Sequence, residues 1–254
     1  MYYQTNCIGN IYIVISDYLT LMRASDILMQ VFKKIYNESH TQSNSTSGGI
    51  NMHKKAPRGV LRRKTSMPYV TSEMSAIIQK VCLDLGDDSI AESIHFSSTA
   101  LTVVRHVMMS GGTIVVDTGP ALAGVDLALA RKLGIHVRCY IDNPRVIYIA
   151  EQRHVTRAQV ALDHALDQSG LKLIAVGSAP AALQRLLQRS EQDPLQDVVT
   201  LAAPMGFASV VQLKERLWES NLASIVVRGK KGGTNVLAAI LNALMAESVR
   251  QQNL

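Results

Sequence analysis

The chain has 254 residues, of which 47% are hydrophobic and 18% charged, with a formal net charge of +6. This composition supports a sizeable core, arranged as one large or two small domains, and excludes a chain too polar to fold. Three cysteines (Cys7, Cys82, Cys139) without a CxxC pair argue against a disulfide framework or structural zinc and suit a reducing cytoplasm, while 5% aromatics give no stacking platform for single-stranded nucleic acid.

Residues 1–68 read as irregular. The apolar run from Ile11 to Ile15 is too short to span a membrane, and no cationic segment precedes it, so neither a membrane segment nor a secretory signal is expected. Leu28, Met29, Val31, Phe32 and Ile35 recur at helical intervals and predict a helix over 22–36. Residues 37–68 combine a Ser/Thr/Asn/Gly-rich stretch with the basic run Lys54 to Lys64, whose low hydrophobicity and self-repulsion predict a disordered linker. A nucleic-acid-associated protein using that basic run is the remote alternative, and no nucleic-acid partner is expected.

The folded body is predicted over 69–250. Thr71-Ser72-Glu73 caps a helix with Met74, Ile77, Ile78, Val81 and Cys82 on one face, running to about Leu85 and closed by Gly86. Ser97 to Met109 repeats the amphipathic pattern, and Thr113 to Asp117 is a β-branched run typical of a strand buried on both faces. Strand and helix then alternate. Helices are expected at Pro120–Leu133, Thr156–Ser169, Ala179–Gln188 and Val210–Glu219, with a final one after Asn235. Strands are expected at His136–Ile141, Leu171–Val176, Val198–Ala202 and Ser224–Val227. The order predicts a single α/β domain, a doubly wound, mostly parallel sheet with helices on both faces, whose ligands gather outside the carboxyl ends of the strands.

Those ends read Asp117-Thr118-Gly119, Asp142-Asn143-Pro144-Arg145, Gly177-Ser178-Ala179-Pro180, Ala203 to Phe207, and Gly229-Lys230-Lys231-Gly232-Gly233-Thr234-Asn235. The last of these has two readings. Its glycines let the backbone approach a polyanion at a helix N-terminus, or they serve only a tight turn beside solvated lysines. No GxGxxG, GxxxxGK[ST] or HExxH pattern is present, so no dinucleotide, nucleotide-phosphate or metal cofactor is expected. His95 and His106 read as partly exposed residues in or beside a helix rather than catalysts.

Several stretches match one family in collinear order: Ile114 to Gly124 (IVVDTGPALAG), Cys139 to Val146 (CYIDNPRV), Thr156-Arg157, Val176 to Leu183 (VGSAPAAL), Pro204 to Phe207 (PMGF) and Gly229 to Leu244 (GKKGGTNVLAAILNAL). From about Met74 to Leu244 the chain resembles the precorrin-8X methylmutases, including their cobalt-precorrin-8 counterparts. The resemblance implies a cytoplasmic, cofactor-free isomerase of cobalamin biosynthesis that moves a methyl group between adjacent corrin carbons, C11 to C12, giving hydrobyrinate or cobyrinate. It implies a corrinoid substrate and a homodimer with the pocket near the subunit interface. Arg157 matches the family's active-site arginine. Asp117, Thr118, Arg145, Gly177, Ser178, Ala179, Lys230, Lys231, Gly232, Gly233, Thr234 and Asn235 are the further substrate-binding candidates, with Ser25 a faint echo of an amino-terminal serine.

One departure bears on activity. The family's general acid is a histidine thirteen residues before the Phe-Ser matched to Phe96-Ser97, and here that position is Leu83. The segment Ser209-Val210-Val211-Gln212-Leu213 departs as well from the family's Gly-Ala-Ala-Glu-Ser. Three accounts stand: Asp84, Cys82 or a bound water replaces the histidine; the chain is a non-catalytic tetrapyrrole-binding paralogue; or it is a decayed gene product.

Overall fold

Short β-branched runs form the frame of the sheet. The computed structural model describes residues 71–252, and the expectations for residues 1–70, including the 22–36 helix, the basic linker and Ser25, lie outside them. Among the described residues the strands are β1 (Ile94–Phe96), β2 (Thr113–Val116), β3 (His136–Cys139), β4 (Lys172–Val176), β5 (Val198–Ala202) and β6 (Ala223–Val227). They make one sheet in the order β1-β6-β5-β4-β2-β3. All neighbours pair in parallel except β1, which lies antiparallel on the β6 edge with Ile94 opposite Val227. The doubly wound, mostly parallel sheet expected from the alternation is therefore present.

The helices are α1 (Ser72–Leu85), α2 (Ala100–Met109), α3 (Gly119–Ala123), α4 (Leu127–Lys132), α5 (Pro144–Arg153), α6 (Arg157–Leu166), α7 (Pro180–Gln192), α8 (Ala208–Glu219) and α9 (Thr234–Gln252). They cover both faces because side chains alternate along each strand. Ile114, Val116, Leu173, Ala175, Leu201, Ile225 and Val227 pack with residues of α1–α4 and α9. Val115, Ile174, Val176, Ala202 and Val226 pack with α6, α7 and α8. Each such Val, Leu or Ile contributes roughly 1.5–3 kcal/mol on burial, so the two-sided core outweighs any surface ion pair.

Caps fix the helix starts. The Thr71 hydroxyl accepts from the Met74 amide at 3.2 Å, and Gly86 ends α1 in the left-handed region at φ 64°. Thr156 and Gln159 form a reciprocal capping box that starts α6 at Arg157. Asp163, paired with Arg185 at 3.0 Å and Arg189 at 2.9 Å, holds α6 against α7.

Three local expectations need correction. Pro120–Leu133 is two helices, because the Asp126 side chain caps a new start by accepting from the Ala128 and Leu129 amides, and Gly124 lets the bend press on Ala238. The strand expected to reach Ile141 ends at Cys139, and an unexpected helix, α5, follows, with Asn143 as its cap and Pro144 in its first turn. Helix α7 continues past Gln188 to Gln192. His95 lies in β1, directly after a 3-10 helix over Asp88–Ser93, and meets the Trp218 ring edge-on at 5.6 Å. Among the described residues no helix is long and apolar enough to cross a membrane.

Candidate functional site

The chain order reverses between β2 and β4. From β2 it passes outward to β3, whereas from β4 it passes the other way to β5 and β6, so the crevice of a doubly wound sheet opens above this pair. Asp117 follows β2, and Gly177, Ser178 and Ala179 follow β4. The Asp117 Oδ2 accepts all three of their amides, at 3.0, 2.7 and 2.8 Å, and the Thr118 hydroxyl donates to Oδ1 at 3.4 Å. The N-terminus of α7 thus carries an anion already, supplied by the protein itself. Asp117, Gly177, Ser178 and Ala179 were each expected to contact a ligand; in the structure they are one another's partners, and those three amides are spent.

The rim continues as a connected row. Ala158, next to Arg157, lines a hollow of about 20 Å³ together with Asp117, Val176 and Ala182. A second hollow, of about 220 Å³, is lined by Arg153, Val155, Gln159, Val160, Asp163 and Arg185, and Val155 and Gln159 flank Arg157 in sequence. On the other side, a Cβ at Gly177 would press on Leu237 and on the Thr234 Cα, so β4 meets the start of α9 there. Gly232 lies so close to the Ala203 carbonyl that any Cβ would collide with it, and its φ of 145° is open only to glycine. Arg157, Ser178 and Gly232 therefore belong to one rim, as do Arg145 and Asn235, which are both exposed in first turns.

The glycine loop is held from several sides. The Arg228 amide donates to the Ser93 carbonyl at 2.7 Å, and the Gly233 amide donates to the Ala203 carbonyl at 2.6 Å. The Arg228 guanidinium pairs with both Glu215 oxygens and lies 5.5 Å from the Trp218 ring centre, holding the Glu215 carboxyl below the usual range. The Lys231 amine reaches Ser89 and lies 3.7 Å from Asp87. Of the loop's three cations, Lys230 is the one exposed and unpaired among the described residues. Beside it, the first-turn amides of α9 at Thr234, Asn235 and Val236 have no intrahelical acceptors.

Leu83 is 78% exposed on α1; of the two proposed substitutes, Asp84 is exposed beside it and Cys82 is buried. Asp84 makes a surface pair with Lys80 at 3.2 Å. Cys82 is turned into the core, and burial, with Asp88 second, pushes its thiol above the ordinary value.

Sequence reasoning set Met205 and Phe207 at this rim without naming them as ligand contacts, and it gave Lys214 no role. Met205 and Phe207, in the loop after β5, are 68% and 82% exposed, and the neighbouring Gly206 amide donates to the Lys230 carbonyl at 3.4 Å. An apolar shelf thus adjoins the cationic loop, and two large apolar residues at a strand's carboxyl end were its signal. Lys214 on α8 is wholly buried and donates to the Lys231 carbonyl at 2.9 Å. Burial holds its amine down at about 8, opposed by the negative Glu215.

Because the folded value lies below the ordinary 10.5, the unfolded chain binds more protons between about pH 8 and 10.5, and the cost of this amine falls as pH rises through that window. Lys172 acts in the same direction, while Cys82 and Cys139, both pushed up by burial, act oppositely above pH 9.0. A difference curve isolates the lysine. Between those limits the stability of the wild type relative to Lys214→Met should improve by on the order of 3 kcal/mol, read from urea midpoints. A flat difference would mean that the buried amine is not the origin.

A family model described as precorrin-8X methylmutase matches residues 58–247. A cobalt-precorrin-8 methylmutase of Salmonella typhimurium is 36% identical over 171 residues, covering 67% of this chain and 80% of that protein. Its counterpart in Methanothermobacter thermautotrophicus is 29% identical over 173 residues, covering 68% and 80%. A solved precorrin-8X methylmutase related protein superposes with a TM-score of 0.65 at 26% identity over 70% of this chain and 94% of its own. The Thermus thermophilus precorrin-8x methyl mutase shares the fold, with a TM-score of 0.64 at 24% identity over 73% and 91%.

Proposed function

Because the chain belongs to the precorrin-8X methylmutase family, a family of isomerases of cobalamin biosynthesis, we propose that it moves a methyl group from C11 to C12 of precorrin-8X or cobalt-precorrin-8. The observation that carries this reading is the juxtaposition of Lys230 and the open first turn of α9 with the exposed Met205 and Phe207. A flat macrocycle edged with carboxylates needs both, an apolar shelf for the ring and fixed positive potential for its arms. Arg157 and Arg145, farther along the rim, would clamp other carboxylates as planar forks.

The rearrangement is internal to the substrate, since the bond to C11 breaks as the bond to C12 forms. The protein's work is to bind and orient the ring and to manage its protonation. We further propose a cytoplasmic homodimer with the rim near the subunit contact, which would cover part of the apolar surface at Leu83, Met205 and Phe207.

Turnover is tested by adding the full chain to each substrate and following visible absorption toward hydrobyrinate or cobyrinate. Conversion supports the isomerase. A product titration with no conversion at stoichiometric protein selects the second reading, a non-catalytic corrinoid binder, which the exposed leucine at the histidine position favours. No binding at all rejects both.

Lys230→Ala should weaken product binding about tenfold, in line with losing one charge-assisted contact, and should reduce the dependence of affinity on salt. Titrations at two ionic strengths check it; unchanged affinity at both would remove Lys230 from the site.

A further inference from the structure

The most deeply buried cation among the described residues lies on α8 and not on the exposed rim. Lys214 is 0% exposed, and an apolar side chain of its length would fill the same space without the cost of desolvating an amine. Among the described residues its one hydrogen bond goes to the Lys231 carbonyl, on the glycine loop.

A trans peptide directs its carbonyl and its N–H to opposite sides, and no cis peptide occurs among the described residues. With the Lys231 carbonyl drawn inward to Lys214, the Gly232 N–H of the same peptide faces away from α8. No described residue accepts from it. The next peptide is set the other way, because the Gly233 N–H is drawn inward to Ala203. Rotation of the Lys231–Gly232 peptide pivots on the φ of Gly232, where glycine tolerates what other residues do not. The Lys214 bond is therefore what selects one orientation of this peptide over its reverse. Glu215, the neighbouring residue on α8, braces Arg228 at the start of the same loop, so one helix registers both ends of the segment.

We propose that Lys214 is a positioning residue: it holds the Lys231 carbonyl inward and so presents the Gly232 N–H, beside Lys230 and the first turn of α9, to a carboxylate of the ligand. The proposal rests on the methylmutase reading for the ligand's identity. If the peptide were reversed, a carbonyl oxygen would face the carboxylate, and attraction would become repulsion.

The test uses the full chain and the Lys214→Met variant, with hydrobyrinate and its fully methylated ester as probes, followed by visible absorption. Hydrogen exchange of the peptide spanning 228–235 is measured without ligand. The expected result is roughly tenfold weaker binding of the acid, ester binding changed by less than about twofold, and faster exchange in the loop of the variant. Equal weakening of acid and ester, or no weakening of either, overturns the proposal, as does unchanged loop exchange. If the wild type binds neither probe, the methylmutase reading falls, and the exchange measurement alone decides whether Lys214 orders the loop. Should Lys214→Met fail to fold, Lys214→Gln, whose amide falls short of the loop, is put through the same measurements.

Discussion

Replacing Asp117 by alanine should lower the unfolding free energy by about 2–4 kcal/mol, because one carboxylate oxygen satisfies three backbone amides at the turn into α7. The Gly177 amide is buried and would find no water in place of the lost oxygen, whereas Ser178 is exposed and would be rehydrated, which keeps the figure below three full penalties. Asp117→Asn keeps an oxygen acceptor without its charge and should cost roughly half as much. The same turn joins the two strands between which the chain reverses direction, so corrinoid affinity should fall in the alanine variant more than in the asparagine one. Urea unfolding with a product titration reads both effects. An unchanged midpoint for the alanine variant would show that these amides are satisfied elsewhere.

Leu83→His should raise turnover by about 10²–10⁴-fold, the usual contribution of a placed general acid. Leu83 is exposed, so an imidazole there displaces nothing from the core and stability should be nearly unchanged. The measurement is the initial rate of absorption change at saturating substrate, beside the wild type. A variant that binds product as the parent does yet stays inert would mean that more than one catalytic group is gone. The segment Ser209 to Leu213, where the chain again departs from the family pattern, would be the next suspect. Equal rates in both proteins would show that protonation is not limiting and that water suffices.

Much of the fold was legible because its signals are local. Val115, Ile174 and Val226 lie in runs that only a strand buried on both faces accommodates, and Thr71, Thr156 and Gly86 mark helix ends by their own side-chain or backbone chemistry. What was missed depends on contacts distant in sequence or on very short elements. β1 spans Ile94–Phe96 and exists through its pairing with β6, while α5 was hidden because Asn143-Pro144 reads equally as a turn and as a cap. For the site, the chain order placed the candidates on one rim, yet it gave no sign that Asp117 and Gly177, sixty residues apart, neutralise each other. Lys214 looks like any cation on an amphipathic helix until the loop from β6 closes over it.

Helix α9 does two things at once. Its first turn sits beside the cationic loop, its flank packs in the same core as α1, and near its far end Gln251 bonds Glu73, which also holds Arg105. Helices α1 and α9 therefore run antiparallel, and the contacts of Lys231 with Ser89 and Asp87 bring the other end of α1, which bears residue 83, back beside the loop. On the proposed reading, a proton donor placed at 83 would take its position relative to the loop from the packing of α1 on α9 rather than from loop conformation.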